Sequence, residues 1–241
     1  DAADNDDGHR VDLHLRRPFR SLEERSSRGL RLTSDDRIQP LFDAGSRVAE
    51  FRQRSRSGQL HVARSTGRVN GHVRRWRVGL DWWDLTFDRA PGVLQPARLP
   101  SDRRAAYPFV AVETIEDDFV PIANLALIGR PQDLHLGRRL TAKLGLSPDA
   151  LGADDGRVLL EASWRDGIRP RESVIVTGAV SLQGAITTSD REPENLYLNA
   201  GAQLHLLQTQ HLRFFAALDG TWTDGLTDDV QLQLGGDRGL R

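Results

Sequence analysis

Cysteine and methionine are absent from this sequence of 241 residues, and aromatic residues make up only 6% of it. The lack of cysteine excludes disulfide bonds and thiolate metal ligands along the whole chain. Long apolar runs are missing as well: the longest is Phe214–Leu218, whereas a membrane-spanning helix needs about 18 apolar residues. The formal net charge of −1 gives no reason to propose a nucleic acid or an acidic membrane surface as a partner, because net charge drives such binding.

Motifs of catalysis and cofactor binding are also lacking. The sequence contains no Gly-x-Ser-x-Gly nucleophile turn, no His-Glu-x-x-His zinc motif and no phosphate-binding P-loop. Its histidines are scattered, and the acidic stretch Asp4–Gly8 lacks the alternate spacing and the terminal Glu of a calcium loop. We therefore predict a protein that is not an enzyme and that uses no metal and no cofactor.

Polar and apolar residues alternate from about residue 157 onward. In the clearest segment, every second residue is apolar: Leu196, Leu198, Ala200, Ala202, Leu204 and Leu206. A helix would return to one face every 3.6 residues and would mix the two sets, so the alternation predicts strands. The predicted strands here are 157–165, 173–187, 195–207 and 212–222.

The lengths of these segments favour a membrane barrel. Segments 173–187 and 195–207 exceed the usual strand of a soluble protein and suit a tilted strand that crosses a bilayer. Four tryptophans lie near segment ends, where the aromatic girdles of membrane barrels are found: Trp82, Trp83, Trp164 and Trp222. Long connections at 147–156 and 188–194 also alternate with shorter ones at 166–170 and 208–211, as in outer-membrane barrels.

The first half of the chain has a weaker pattern. We predict strands near 28–33, 46–54, 59–66, 72–84, 105–115, 119–129 and 134–146, which gives roughly eleven with those above. Arg138 interrupts the apolar parity of the last of these. Residues 88–104, rich in proline and glycine, are predicted as a long linker.

The sequence ends in Gly-Gly-Asp-Arg-Gly-Leu-Arg, from Gly235 to Arg241. Glycine pairs let a chain turn sharply, and the fixed fork of donors of an arginine can anchor a loop on a carboxylate. After alternating strands, this stretch resembles the loop motif of the bacterial surface-antigen outer-membrane barrels, a superfamily that includes the BamA and TamA assembly factors and the two-partner-secretion transporters. Pro18–Arg25 is similar to the family's entry into its first barrel strand, and Tyr107–Phe109 to its middle strands.

The resemblance implies an antiparallel transmembrane β-barrel in the bacterial outer membrane, with roughly eleven of about sixteen strands in this chain. It divides the chain into an acidic tail at 1–8, the end of a periplasmic POTRA-like module at 9–17, and the N-terminal part of the barrel at 18–241, ending in the motif loop. The implied function is the insertion or translocation of other proteins at the outer membrane. The implied partners are outer-membrane lipid, substrate polypeptides and accessory periplasmic proteins.

Two sets of residues are candidate sites. In the family the motif loop folds back into the lumen and its arginine pairs with an acidic barrel residue; the resemblance gives this role to Arg241, with Leu240 beside it and Gly235 and Gly236 allowing the turn. The polar parity of the strands predicts a lumen lining made of Glu161, Gln183, Asn199, Gln203, Arg213 and Asp219. The same parity is typical of the wet face of any half-buried antiparallel sheet.

Two other functions fit the same sequence. A soluble all-β binding module, such as a sandwich or a lipid-binding barrel, would use the alternate apolar residues as its core. A barrel of this family can also be joined to an N-terminal enzyme, as in patatin-type lipases. Leu and Val faces turned outward on every strand favour the membrane barrel, whereas inward faces favour the soluble module.

Overall fold

A computed structural model describes residues 2–5, 8–90, 94–123, 130–207 and 213–232 of the chain. These residues fold into one large and one small β-sheet. The strands are β1 (Ala2–Asn5), β2 (Gly8–Arg17), β3 (Ser26–Asp43), β4 (Ser46–Val69), β5 (His72–Arg89), β6 (Arg103–Glu116), β7 (Phe119–Ala123), β8 (Pro131–His135), β9 (Arg139–Ser147), β10 (Arg157–Arg171), β11 (Val174–Thr187), β12 (Pro193–Leu207) and β13 (Arg213–Asp224). The predicted all-β class is confirmed.

The large sheet has 11 strands in the order β1-β2-β3-β4-β5-β6-β9-β10-β11-β12-β13. Every neighbouring pair is antiparallel. Among the described residues, β1 and β13 each have one neighbour only, so the sheet is open there. The remaining strands, β7 and β8, form a separate antiparallel hairpin.

The strands predicted at 46–54 and 59–66 are one continuous strand, β4, so the break expected between them was wrong. Gly58 lies at that position and faces the indole of Trp82 across the β4–β5 pair. A side chain at residue 58 would occupy the space of the indole ring, so the glycine permits close approach and does not end the strand.

Two further boundaries were also wrong. The connection predicted at 166–170 belongs to β10, which keeps its pairing with β11 as far as Ile168 and becomes irregular only around Pro170. Proline has no N–H to donate, which accounts for the irregularity. The strand predicted at 134–146 is two strands, β8 and β9, and Arg138 lies between them and not on an apolar face.

The N-terminal residues take part in the large sheet. Ala2–Asn5, part of the segment expected as an acidic tail, pair with β2. Residues 8–17 pair along their whole length with β3 and so continue the same sheet as the residues after them. The boundaries predicted at residues 8 and 17 stay predictions.

The connections lie at the ends of the strands, on two opposite rims of the sheet that are called edges here. The first, called here the turn edge, carries residues 18–25, the tight turns at 70–71 and 172–173, and the β7–β8 hairpin. The second, called the loop edge, carries the turn at 44–45, the connections 90–102, 148–156 and 188–192, and residues 225–232. The predicted alternation of long and short connections therefore holds from β9 to β12, with the 208–211 turn outside the described residues.

The large sheet has an apolar face and a polar face. Because residues in register across neighbouring strands share a face, the pairing places one apolar row after another on the same side. The apolar face carries Leu15, Leu30, Leu60, Leu80, Val78, Val110, Leu144, Leu160, Val180, Leu198 and Leu218. The polar face carries the residues between them.

Candidate functional site

The apolar face of the large sheet is exposed, whereas the opposite face buries both charged and apolar side chains, among them Tyr107, Phe109 and Ile115. On the apolar face, Val78 is 51% exposed and Leu80 is 55% exposed. On the polar face, by contrast, Arg157 is 3% exposed and Glu113 is 9% exposed. Arg157 and Glu113 are each paired with an opposite charge, which permits their burial, but soluble proteins seldom expose a wide apolar surface. The sheet therefore curls with its polar face on the inside.

The predicted lumen lining lies together on this inner, polar face. Register places five of its residues there: Glu161, Gln183, Asn199, Gln203 and Asp219. The sixth, Arg213, begins β13 opposite Leu207. Asn199 accepts a hydrogen bond from the Thr221 hydroxyl at 2.8 Å. Glu161 accepts a hydrogen bond from the Lys143 ammonium group at 2.7 Å.

Lys143, the single lysine of the sequence, is the centre of the inner face. Its ammonium group lies 2.7 Å from Asp81 Oδ2 and 2.7 Å from Glu161 Oε1. It also lies over the rings of Phe109, at 4.8 Å from the centroid, and Tyr107, at 5.8 Å. Lys143 and Asp81 are nearly buried, with side chains 13% and 10% exposed.

Glycines hold the two rings in place. Gly145 lies beneath Tyr107 and Gly79 lies beneath Phe109, and a Cβ at either position would clash with the ring above it. Gly79 of β5 and Gly145 of β9 are both register partners of Phe109 in β6. The absent side chains let the rings lie flat on the sheet, where their faces can receive the Lys143 charge.

A second group of charged residues lies on the inner face near the turn edge. Glu113 is bound by Arg75 at 3.1 Å and by the Arg139 guanidinium. Arg75 also donates to the carbonyl of Ser21 at 3.1 Å and lies 4.4 Å from the centre of the Phe19 ring. The segment 18–25 is thereby fastened over the inner face.

A third group lies near the loop edge. Arg157 binds Asp154 at 2.8 Å and Glu194 at 3.0 Å, with its guanidinium 5.5 Å from the centre of a Trp83 ring. Burial raises the pKa of the Asp154 carboxyl, but hydrogen bonds from Arg157 and from the Arg104 backbone outweigh burial and bring that pKa below its usual value. Trp83, predicted near a membrane interface, is thus on the inner face.

Residues 225–232 return across the curl of the sheet after β13. Asp229 accepts a hydrogen bond from Arg103 of β6 at 2.6 Å. The Gln231 amide forms two hydrogen bonds with the backbone of Phe42 at the tip of β3, at 3.0 and 3.1 Å. The segment therefore spans from the last described strand to one near the start of the chain. The motif residues Gly235, Gly236, Leu240 and Arg241 lie outside the described residues.

The β7–β8 hairpin covers part of the inner face at the other end. Ile122 of β7 and Leu136 pack on Ile175, which is fully buried. Gly167 donates a backbone hydrogen bond to Leu136 at 2.9 Å, which ties the hairpin to β10. Strands were predicted near 119–129 and 134–146, but not their pairing as a hairpin outside the large sheet. Ile175, an isoleucine at a polar-parity position, is a signal that something packs there.

No family model, no curated protein and no solved structure matches the chain. Over the described ranges, no group of three or more His, Asp or Glu side chains is arranged to hold a metal ion. Among those same residues, no helix has the length and apolar composition needed to span a membrane. The proposals below therefore depend on the geometry of the sheet and on the sequence motif.

Proposed function

We propose that this chain forms part of a β-barrel in the bacterial outer membrane, and that the barrel inserts or translocates other proteins there. The observation that carries the proposal is the exposed apolar face of the sheet, opposite an inner face that buries ion pairs together with a small aromatic cluster. In water, the exposed Leu, Val and Trp side chains of this face would form a contiguous apolar patch of the kind that soluble monomers rarely carry. In lipid the same face is favourable.

Tryptophans on the apolar face support this environment. Trp82 lies toward the loop edge and Trp76 toward the turn edge of the same strand, both about half exposed. The six-residue step from Trp76 to Trp82 corresponds to about 20 Å of strand, close to the roughly 25 Å apolar band of membrane barrels. Trp222 and Trp164 lie toward the same two edges on later strands. The chain thus has two aromatic rows that bound an apolar band.

The soluble binding module fits these contacts poorly. Such a module would pack its alternate Leu and Val residues into a core, whereas here they are exposed, and the inner face combines aromatic residues such as Phe109 with ion pairs such as Lys143–Asp81. Continuous antiparallel pairing also satisfies the backbone donors and acceptors of the inner strands, which is the condition for entering hydrocarbon. The exposed apolar face favours the membrane barrel, and the pairing is compatible with it.

The protein-handling part of the proposal depends on the terminal motif and on the segment that leads to it. In the family this loop folds back into the lumen, and here residues 225–232 already cross to β6 and β3 through Asp229 and Gln231. A loop that begins on this course is aimed over the interior of the curled sheet. This direction is the one that the family resemblance requires.

Spin labels on β12 test the membrane environment. Labels at Leu198 and Leu204, on the apolar face, should be accessible to oxygen and shielded from polar relaxants when the protein is in a bilayer. Labels at Asn199 and Gln203, on the inner face, should show the reverse. Power-saturation measurements on the four single-label variants report this difference directly. Equal access of polar relaxants to both pairs would contradict the membrane proposal.

The motif arginine tests the protein-handling function. In the full-length protein, Arg241→Ala should impair transport or barrel stability far more than Arg238→Ala, because a guanidinium that enters the lumen needs a paired carboxylate. Arg241→Lys should recover part of the activity, since lysine keeps the charge and loses the fork. Outer-membrane accumulation of a substrate protein is the measurement. Equal and mild effects of all three substitutions would reduce the motif to a surface turn.

A further inference from the structure

The arginines at the two ends of the apolar face differ in one respect. Near the loop edge, Arg52 forms a two-contact pair with Asp36 at 2.6 and 2.8 Å, and Arg54 binds Asp88 at 2.7 Å. Near the turn edge, Arg28 and Arg64 form no ion pair among the described residues. Within the same described ranges, the one ion pair of Arg17 beside them is a long contact to Glu24, at 3.8 Å. Arg28 and Arg64 therefore differ from Arg52 and Arg54 in having no carboxylate partner among the described residues.

These three arginines share one groove on the apolar face. The groove has a volume of about 500 Å³, and its apolar wall is formed by Val62, Val78 and Trp76. Arg28 is in register with Arg17 and Val62, and Arg64 is in register with Trp76, so the charges lie at the depth of the tryptophan. A ligand here must carry negative charge beside the arginines and an apolar part along the band.

We propose that this groove, Arg17, Arg28 and Arg64 with Trp76, Val62 and Val78, binds the headgroup phosphate of an anionic phospholipid. The inference rests on the proposed membrane position of the sheet. Guanidinium groups match phosphate oxygens with paired donors, and tryptophan lies at the headgroup level of membrane proteins. The acyl chains would then lie along Val62 and Val78. The chain's net charge of −1 conceals this local excess of positive charge.

The leaflet decides between phospholipid and lipopolysaccharide as the source of phosphate. The groove lies near the turn edge, with the tight turns at 70–71 and 172–173. Short turns face the periplasm in outer-membrane barrels, and the periplasmic leaflet consists of phospholipid. The proposal therefore commits to a phospholipid such as phosphatidylglycerol, and lipid A and free phosphate are outcomes that would contradict it.

Native mass spectrometry of the full-length protein, released from nanodiscs of phosphatidylethanolamine and phosphatidylglycerol, tests this. The unaltered protein should retain phosphatidylglycerol in preference, and Arg17→Gln/Arg28→Gln/Arg64→Gln should reduce that preference at least about tenfold, since each surface arginine contributes to anionic-lipid binding. The matched control, Arg52→Gln/Arg54→Gln, alters the paired arginines of the same sheet and should leave the preference unchanged. If the triple variant does not fold, Arg28→Gln and Arg64→Gln alone should each give a smaller reduction.

Four results would overturn the proposal: an unchanged preference in the triple or single variants, an equal loss in the control, stronger retention of added lipid A, or displacement of the lipid by inorganic phosphate. Failure of the membrane proposal itself looks different. In that case the unaltered protein would remain in the aqueous phase without detergent and would enter no nanodisc. If the protein enters nanodiscs but shows no lipid preference, the groove is not a phospholipid site, and the membrane proposal is unaffected.

Discussion

Replacement of Lys143 by methionine is expected to lower the free energy of unfolding by about 3 to 5 kcal/mol, because it leaves Asp81 buried and charged without its cation. The Asp81 side chain is only 10% exposed. The substitution also removes the charge from above Phe109, where the Lys143 ammonium lies 4.8 Å from the ring centre. Urea unfolding in lipid vesicles, followed by tryptophan fluorescence, measures the loss.

Two further variants separate a buried pair from a general effect of charge. Lys143→Met combined with Asp81→Leu should recover most of the stability, because replacing both members of a buried pair by apolar residues is often close to neutral. Glu161→Gln removes the other carboxylate, whose side chain is 57% exposed, and should cost less than about 1 kcal/mol. An equal cost for Lys143→Met and Glu161→Gln would show that the inner face is as wet as the surface.

Leu80→Arg is expected to destabilise the protein in lipid vesicles by about 2 to 4 kcal/mol, because it places a charge in the middle of the apolar band. Leu80 lies between Trp76 and Trp82 on β5 and is 55% exposed. In a soluble protein, a substitution at so exposed a position would change stability by about 0.5 kcal/mol or less. The size of the effect therefore reports the surroundings of the face.

Thr86→Arg is the matched control for Leu80→Arg. Thr86 lies on the same strand and the same face as Leu80, beyond Trp82 and beside Asp84 and Asp88. A charge there lies outside the band and should cost about 0 to 1 kcal/mol. The same vesicle unfolding assay compares the two variants. If both substitutions are tolerated equally, the apolar face is not in hydrocarbon.

The sequence predicted the second half of the sheet well because its strands carry their own signal. From residue 157 onward, parity alone separates the two faces, and the register brings Glu161, Gln183, Asn199 and Asp219 to one face as expected. Parity is a local property, since it depends only on successive side chains pointing to opposite sides of a strand. Parity does not show that a strand continues through a glycine such as Gly58, whose missing side chain leaves room for the Trp82 indole of the neighbouring strand.

The ion pairs of Lys143 on the inner face were not predictable from parity. Lys143 is close to Asp81 and Glu161 only because β9 lies between β6 and β10 in the large sheet. The strands that come between β6 and β9 in the sequence, β7 and β8, form a separate sheet. No local pattern identifies that insertion. The signals were present but weak: a single lysine in the whole sequence, and Ile175 at a position where parity called for a polar residue.

The two hydrogen bonds between Gln231 and the Phe42 backbone join residues 189 positions apart in the sequence. Contacts of such long sequence separation form late, because the chain must lose the entropy of closing a large loop before they contribute any stability. Neighbouring strands can pair across short connections, but this contact forms only when the residues after β13 reach the tip of β3. We therefore expect the curl to tighten in the slowest phase of folding, after the individual hairpins have formed.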